Sequence, residues 1–131
     1  MRRNRYHVSN ELAAARTIDR LPDFRGWDLG WADLSGLDLT WARMENTYLY
    51  GASLRGANLA GVDLRNATVQ ADQLLDARGL CWSFPHRISD EMWDEIMPHG
   101  SDARGLFEEL LGDWDGTLRE AVATAETLHR A

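Results

Sequence analysis

Asp113 and Asp115 stand two residues apart beside Gly116, a grouping of hard carboxylate oxygens of the kind that suits a divalent cation such as Ca²⁺. An EF-hand loop also needs a third acidic or Asn position and a Glu at its twelfth, and the sequence supplies neither, so no metal site is expected there. His7, His86, His99 and His129 are scattered, with no pair at the spacing of a helical zinc site. Cys81 lies near His86, which invites a cysteine–histidine nucleophile. A thiol between Leu80 and Trp82 is more simply a small packing side chain. No set of residues supplies nucleophile, base and oxyanion donors together, so the chain is not expected to be an enzyme, and no cofactor is expected.

The string Asp113-Trp114-Asp115-Gly116-Thr117-Leu118 also resembles the Asp-x-Asp-Gly-Thr signature of haloacid-dehalogenase-like phosphatases. That resemblance implies Asp113 as nucleophile and Asp115 as acid/base at the end of a buried strand. Such a site also needs a doubly wound sheet, a downstream Lys and further carboxylates for Mg²⁺. The chain has no Lys, ends soon after Thr117, and reads as helix, not strand, over Phe107 to Leu111. A turn between two helices accounts for Asp, Gly and Thr.

Composition narrows the classes further. The 131 residues carry 14 Arg and 21 Asp plus Glu, for a net charge of −7, and one Cys. The length allows one domain with a modest appendage. One cysteine argues against a disulfide scaffold. No apolar run approaches the roughly 20 residues of a membrane span, and the first residues do not read as a signal peptide. A cytoplasmic protein is therefore expected, with no membrane partner. Net acidity argues against direct nucleic-acid binding, which relies on Lys and Arg.

The elements that position side chains emerge from an internal period. From Phe24 a large apolar residue recurs at every fifth position: Leu29, Leu34, Leu39, Met44, Leu49, Leu54, Leu59, Leu64, Val69 and Leu74. Ala32, Ala42, Ala52, Ala57, Val62 and Ala67 sit two residues before their neighbours in this series, and Gly26, Gly36, Asn46, Gly51, Gly56, Gly61 and Asn66 two residues after. Period five fits neither a helix nor a flat strand. It predicts a chain that bends after every five residues, with Gly or Asn at corners that require φ > 0.

If four sides close a coil, residues twenty apart stack at about 4.8 Å. The columns Asp23, Arg43, Asp63 and Arg25, Glu45, Arg65 then alternate in sign, as cross-strand pairing prefers. A register of fifteen or twenty-five loses that complementarity.

The units Ala32-Asp33-Leu34-Ser35-Gly36, Ala52-Ser53-Leu54-Arg55-Gly56 and Ala57-Asn58-Leu59-Ala60-Gly61 resemble the Ala-(Asp/Asn)-Leu-x-x repeats of the pentapeptide repeat family, over about residues 22–78. The resemblance implies a mainly β solenoid: a right-handed quadrilateral β-helix of about 2.75 coils, with the central Leu and the preceding Ala inward. Trp27 and Leu37 fill inward sites that normally hold Ala, both in the first coil, where a cap can accept bulk. Asp72 falls at an inward site of the last unit and predicts fraying there.

Open solenoid ends require caps. The expected organisation is a basic arm and capping helix over 1–21, the β-helix over 22–78, and an acidic helical segment over 79–131. The N-terminal helix is expected from Asn10 to Arg20, capped by Ser9 or Asn10, with Leu12, Ala15 and Ile18 as its apolar face. Arg2, Arg3 and Arg5 before it read as a solvated arm. Helices are expected over Asp90 to Met97, Asp102 to Leu111 and, from the capping box Thr117-Leu118-Arg119-Glu120, to about Arg130. They would cover the far end or join two copies as a homodimer.

Outward aromatic residues carry the functional expectation. Trp31, Tyr48 and Tyr50 fall on the second side, with Gly51 over Trp31 and Gly30 under Tyr50 leaving room for the rings, and Trp41 stands out from the fourth side over Gly61. Clustered exposed Trp and Tyr favour a protein contact, unless a terminal segment folds over them. The expected role is a non-catalytic interaction module with a protein partner. The resemblance implies an alternative, because some bacterial pentapeptide repeat proteins mimic DNA and bind type II topoisomerases such as gyrase, giving protection from quinolones or toxins. A rod of about 13 Å, roughly four base pairs, is short for that role. The acidity also lies mostly in residues 79–131, where a basic partner would bind.

Overall fold

The computed structural model describes residues 2–79 and 116–130, together with residues 91, 94 and 95. Parallel bridges join Asp23 to Arg43 and Arg43 to Asp63, Asp28 to Tyr48 and Tyr48 to Thr68, Asp33 to Ser53, Asp38 to Asn58, and Asn58 to Arg78. Every one of these pairs is twenty residues apart, so four units of five separate each residue from the one stacked on it. Each side is extended for only two or three residues before the chain turns, which is why the pairing consists of single bridges and not of long strands. The turns close through bonds such as Trp27 N to Phe24 O at 3.0 Å and Ala52 N to Leu49 O at 2.9 Å. The third residue of each is left-handed: Gly26, Gly36, Asn46, Gly51, Gly56, Gly61 and Asn66 all have φ between 62° and 74°, the type II pattern.

Inside the coil the five-residue series forms one continuous column. Phe24, Leu29, Leu34, Leu39, Met44, Leu49, Leu54 and Leu59 are buried, with Ala32, Ala42, Ala52, Ala57 and Val62 beside them. Thr47 takes an inward site despite its hydroxyl, which donates to the Phe24 carbonyl at 2.9 Å and so avoids the cost of an unpaired buried polar group. Trp27 and Leu37 are half-buried against the core at the first coil.

The N-terminal helix differs from the expected one. α1 spans Arg5–Thr17 and starts five residues early, because Asn4 accepts from the Tyr6 and His7 amides while the Asn4 amide donates to His7 Nδ1. Ser9 and Asn10 therefore lie inside the helix. Val8, Leu12 and Ala15 form the buried stripe, at the i, i+4, i+7 spacing, whereas Ile18 lies past the helix end and is exposed.

The polar residues of residues 2–20 close the first coil side by side. Glu11 Oε2 accepts the Asp23 amide at 2.9 Å on the first side. On the second, Arg2 bridges Asp28 and the Arg3 amide donates to the Asp28 carbonyl at 2.7 Å. Arg5 donates to the Asp33 and Ser35 carbonyls at 3.2 and 2.8 Å on the third, and Arg16 to the Asp38 carbonyl at 2.7 Å on the fourth. The arginines expected to be a solvated arm thus hold the exposed backbone edge, a row of groups that would otherwise invite pairing with another chain.

At the other end, the helical turn α2, Ala71–Leu75, replaces the last five-residue unit. It keeps Leu74 buried and turns Asp72 out to solvent, correcting the expected inward position of that carboxylate. The side-chain amide of Gln73 caps the Leu49 and Ala52 carbonyls at 2.7 and 2.9 Å. Residues 76–78 then rejoin the register, with Gly56 N donating to Asp76 O and Arg78 N to Ala57 O. α3, Leu118–Arg130, follows an antiparallel bridge between Arg78 and Thr117, and opens with the Thr117–Glu120 capping pair. Its Leu118 and Ala121 are buried, and Arg119 pairs with Asp76 at 3.0 Å. Except for residues 91, 94 and 95, which are helical, the helices expected over Asp90 to Met97 and Asp102 to Leu111 lie outside the described residues.

The signed columns stack as expected, but the direct ion pairs run within a unit: Arg25 to Asp23 at 2.9 Å and Arg65 to Asp63 at 2.5 Å. The Arg25 guanidinium beside Asp23 holds that carboxyl down to about 2. Arg20 lowers Glu11, the Ser35 and Thr40 hydroxyls lower Asp33 and Asp38, and Arg119 lowers Asp76. Each depressed carboxyl supports the folded state above its unfolded pKa and loses that support as pH falls through the folded value. The melting temperature should therefore hold from neutral pH to about 5 and fall between about 4 and about 2. Thermal melts across that range check this, and a fall beginning near pH 6 would contradict it.

Candidate binding face

The second side of the coil consists of residues 27–31, 47–51 and 67–71. Alternation along each short extended run sends Leu29 and Leu49 inward and Asp28, Gly30, Tyr48 and Tyr50 outward. The register places Tyr48 on Asp28, and the Trp31 amide donates to the Tyr50 carbonyl at 2.9 Å. The structure thereby brings three of the four expected residues together. Trp31 and Tyr50 meet edge to face at 5.4 Å between centroids with an interplanar angle of 86°, and Tyr48 and Tyr50 lie 6.3 Å apart at 31°. Trp31 remains 64% exposed, and Tyr48 and Tyr50 41% each. Trp41 is also exposed, but half a coil separates it from Trp31, which puts it on the opposite corner and outside the cluster.

Glycines twenty residues away make room for the rings. A Cβ on Gly51 would overlap the Trp31 ring, and one on Gly61 the Trp41 ring. Gly30 is covered by Tyr48, not by Tyr50 as the column alone suggested, since a Cβ there would come within 3.0 Å of Tyr48 Cε2.

Both tryptophans occupy corner positions where the chain otherwise uses Gly or Asn, and both are left-handed, with φ of 63°. A residue with a side chain costs about 1–2 kcal/mol in this region, least for Asn, and Gly escapes the cost; strain retained at exposed bulky residues points to function. The contact with Tyr50 offsets part of that cost at Trp31, since an edge-to-face aromatic pair contributes about 0.5–1.5 kcal/mol. Replacing both (Trp31→Asn, Trp41→Asn) should therefore change stability by no more than about 1 kcal/mol in either direction. Denaturant melts check this, and a loss above about 3 kcal/mol would make the rings structural.

Sequence reading missed the left-handed tryptophans, although the five-residue spacing puts both at corner positions. It also missed the neighbouring cation–aromatic contact, in which the Arg3 guanidinium lies 4.0 Å from the Trp27 ring centre while Trp27 meets Phe24 edge to face at 5.0 Å. Asp28 supplies the carboxylate of this side, and its Oδ1 accepts the Gly30 amide at 3.0 Å.

Among the described residues no group of three or more His, Cys, Asp or Glu could hold a metal ion. No helix among them is long and apolar enough to cross a membrane. Asp113, Asp115, Cys81 and His86 lie outside the described residues.

The model of the pentapeptide repeat family, eight copies, matches residues 23–70. Such repeats imply a right-handed β-helix. Among solved structures, that of a pentapeptide repeat protein (Rfr23) from the cyanobacterium Cyanothece 51142 is 38% identical, over 36% of this chain and 35% of that one, with a TM-score of 0.23. The chain thus spans about a third of that protein's length. No curated protein matches the chain significantly.

Proposed function

We infer from the pentapeptide repeats of residues 23–70, which make this chain a pentapeptide repeat protein, that it is a rigid, non-catalytic protein-interaction module. In this reading the repeats wind as a right-handed quadrilateral β-helix of about 2.75 coils over 22–78. Residues 1–21 cap one end, and the acidic segment 79–131 caps the other or joins two copies. The module works in the cytoplasm and presents Trp31, Tyr48, Tyr50 and Trp41 to a protein partner.

The observation that carries the reading is the exposed, left-handed Trp31 set edge to face with Tyr50. Aromatic side chains of this kind supply large contact area at low entropic cost and dominate binding hot spots. Affinity capture with the full chain tests it, comparing the natural sequence with a variant in which Trp31, Tyr48 and Tyr50 are Ser.

The net charge of −7 keeps a DNA-mimicking gyrase binder as the second reading. A supercoiling assay separates the two. Inhibition of gyrase or quinolone protection at micromolar protein would favour the mimic, and the absence of both would exclude it.

A further inference from the structure

The second side combines three features that suit one kind of guest. Trp31 and Tyr50 stand perpendicular, edge to face, with Tyr48 beside Tyr50, and all three rings keep exposed surface. Asp28 lies beside Tyr48: its Oδ1 and the Tyr48 ring both lie within 3.2 Å of the point where a Cβ on Gly30 would stand. A bond to the Gly30 amide holds that carboxylate in place.

Ring faces carry negative electrostatic potential and attract a guanidinium or ammonium group, more so with a carboxylate alongside. The chain already uses this side in that manner. Its own extended Arg2-Arg3 pairs with the Asp28 backbone and lays the Arg3 guanidinium 4.0 Å from the Trp27 ring centre. The net charge of −7 adds long-range attraction for a basic partner.

We propose that the cluster of Trp31, Tyr48 and Tyr50, with Asp28 beside Tyr48, receives an arginine side chain from an extended basic segment of the partner protein. The proposal rests on the reading of this side as a contact face. It places the basic segment here, and not on the acidic residues 79–131, because the recognising geometry is local.

The test uses the full chain and dye-labelled synthetic peptides of equal length: two Arg in a Gly/Ser background, the same with Glu in place of Arg, and an uncharged Pro-rich peptide. Fluorescence anisotropy should show binding of the Arg peptide alone. Trp31→Ser and Tyr50→Ser should each weaken it about tenfold. Asp28→Asn, which can still accept the Gly30 amide, should weaken it severalfold and flatten its salt dependence. Arg55→Ser, an exposed position on the third side, should leave it unchanged.

No binding of the Arg peptide would overturn the proposal, as would equal binding of the Pro-rich peptide or binding indifferent to Trp31→Ser and Tyr50→Ser. Self-association of the chain, removed by Trp31→Ser, would put a second copy on this side and also overturn it. If the Arg peptide fails while partner capture still depends on these rings, the arginine assignment alone falls. If capture is indifferent to them too, the contact-face reading falls with it.

Discussion

Leu54→Asp should abolish the fold. Leu54 is buried among Leu34, Leu49, Leu59 and Leu74 of the inner column, and the substitution both removes its burial, about 1.5–3 kcal/mol, and forces an unpaired carboxylate into the core at a further several kcal/mol. The sum reaches the total stability of a typical small domain, about 5–15 kcal/mol. The neighbouring Arg55 points outward and is exposed, with a weak attraction to Asp76, so Arg55→Asp should cost no more than about 1 kcal/mol, as exposed charge changes do. Circular dichroism and denaturant melts of the two variants give the comparison. A cooperative melt for Leu54→Asp near that of the natural chain would contradict the inward register.

That one residue unfolds and the next is nearly neutral follows from a pattern read directly along the chain. The spacing of Leu29, Leu34 and Leu39 identifies the inner column before any coordinate is known, and the signs of Asp23, Arg43 and Asp63 select the twenty-residue register that the bridges display. Such repeats are legible because every unit meets the same neighbours, so one local rule holds throughout. Legibility fails at the ends. Asp72 looked inward because the five-residue count was carried one unit too far, whereas α2 keeps Leu74 inside by switching to helical geometry. α1 is capped at Asn4 and begins at Arg5 because an Asn and a His three residues on can cap as well as the more familiar Ser and Glu.

The aromatic cluster of the second side was legible in membership and less so in form. Outward positions and the glycines opposite them follow from the register, so Trp31, Tyr48 and Tyr50 could be grouped from sequence alone. Ring orientation could not, because side-chain rotamers depend on packing across coils; hence Gly30 lies under Tyr48 and not Tyr50. The roles of Arg2, Arg3, Arg5 and Arg16 were hidden for a related reason. Their partners are backbone groups of the first coil, and a carbonyl edge has no side-chain signature in a sequence.

The second large effect concerns binding. A contact centred on aromatic anchors concentrates its energy there, each contributing about 2 kcal/mol or more when truncated. Removing three together should lower affinity by at least about a hundredfold, while the inner column and the backbone bridges are untouched. The direct measurement is affinity capture of the partner by the full chain carrying Trp31→Ser, Tyr48→Ser and Tyr50→Ser together, beside the natural chain and Arg55→Asp, with the melt of each recorded. The expected result is a folded triple variant that no longer retains the partner, which the natural chain and Arg55→Asp both keep. Retention of the partner by a folded triple variant would contradict the account, and an unfolded one would show that the rings serve the fold.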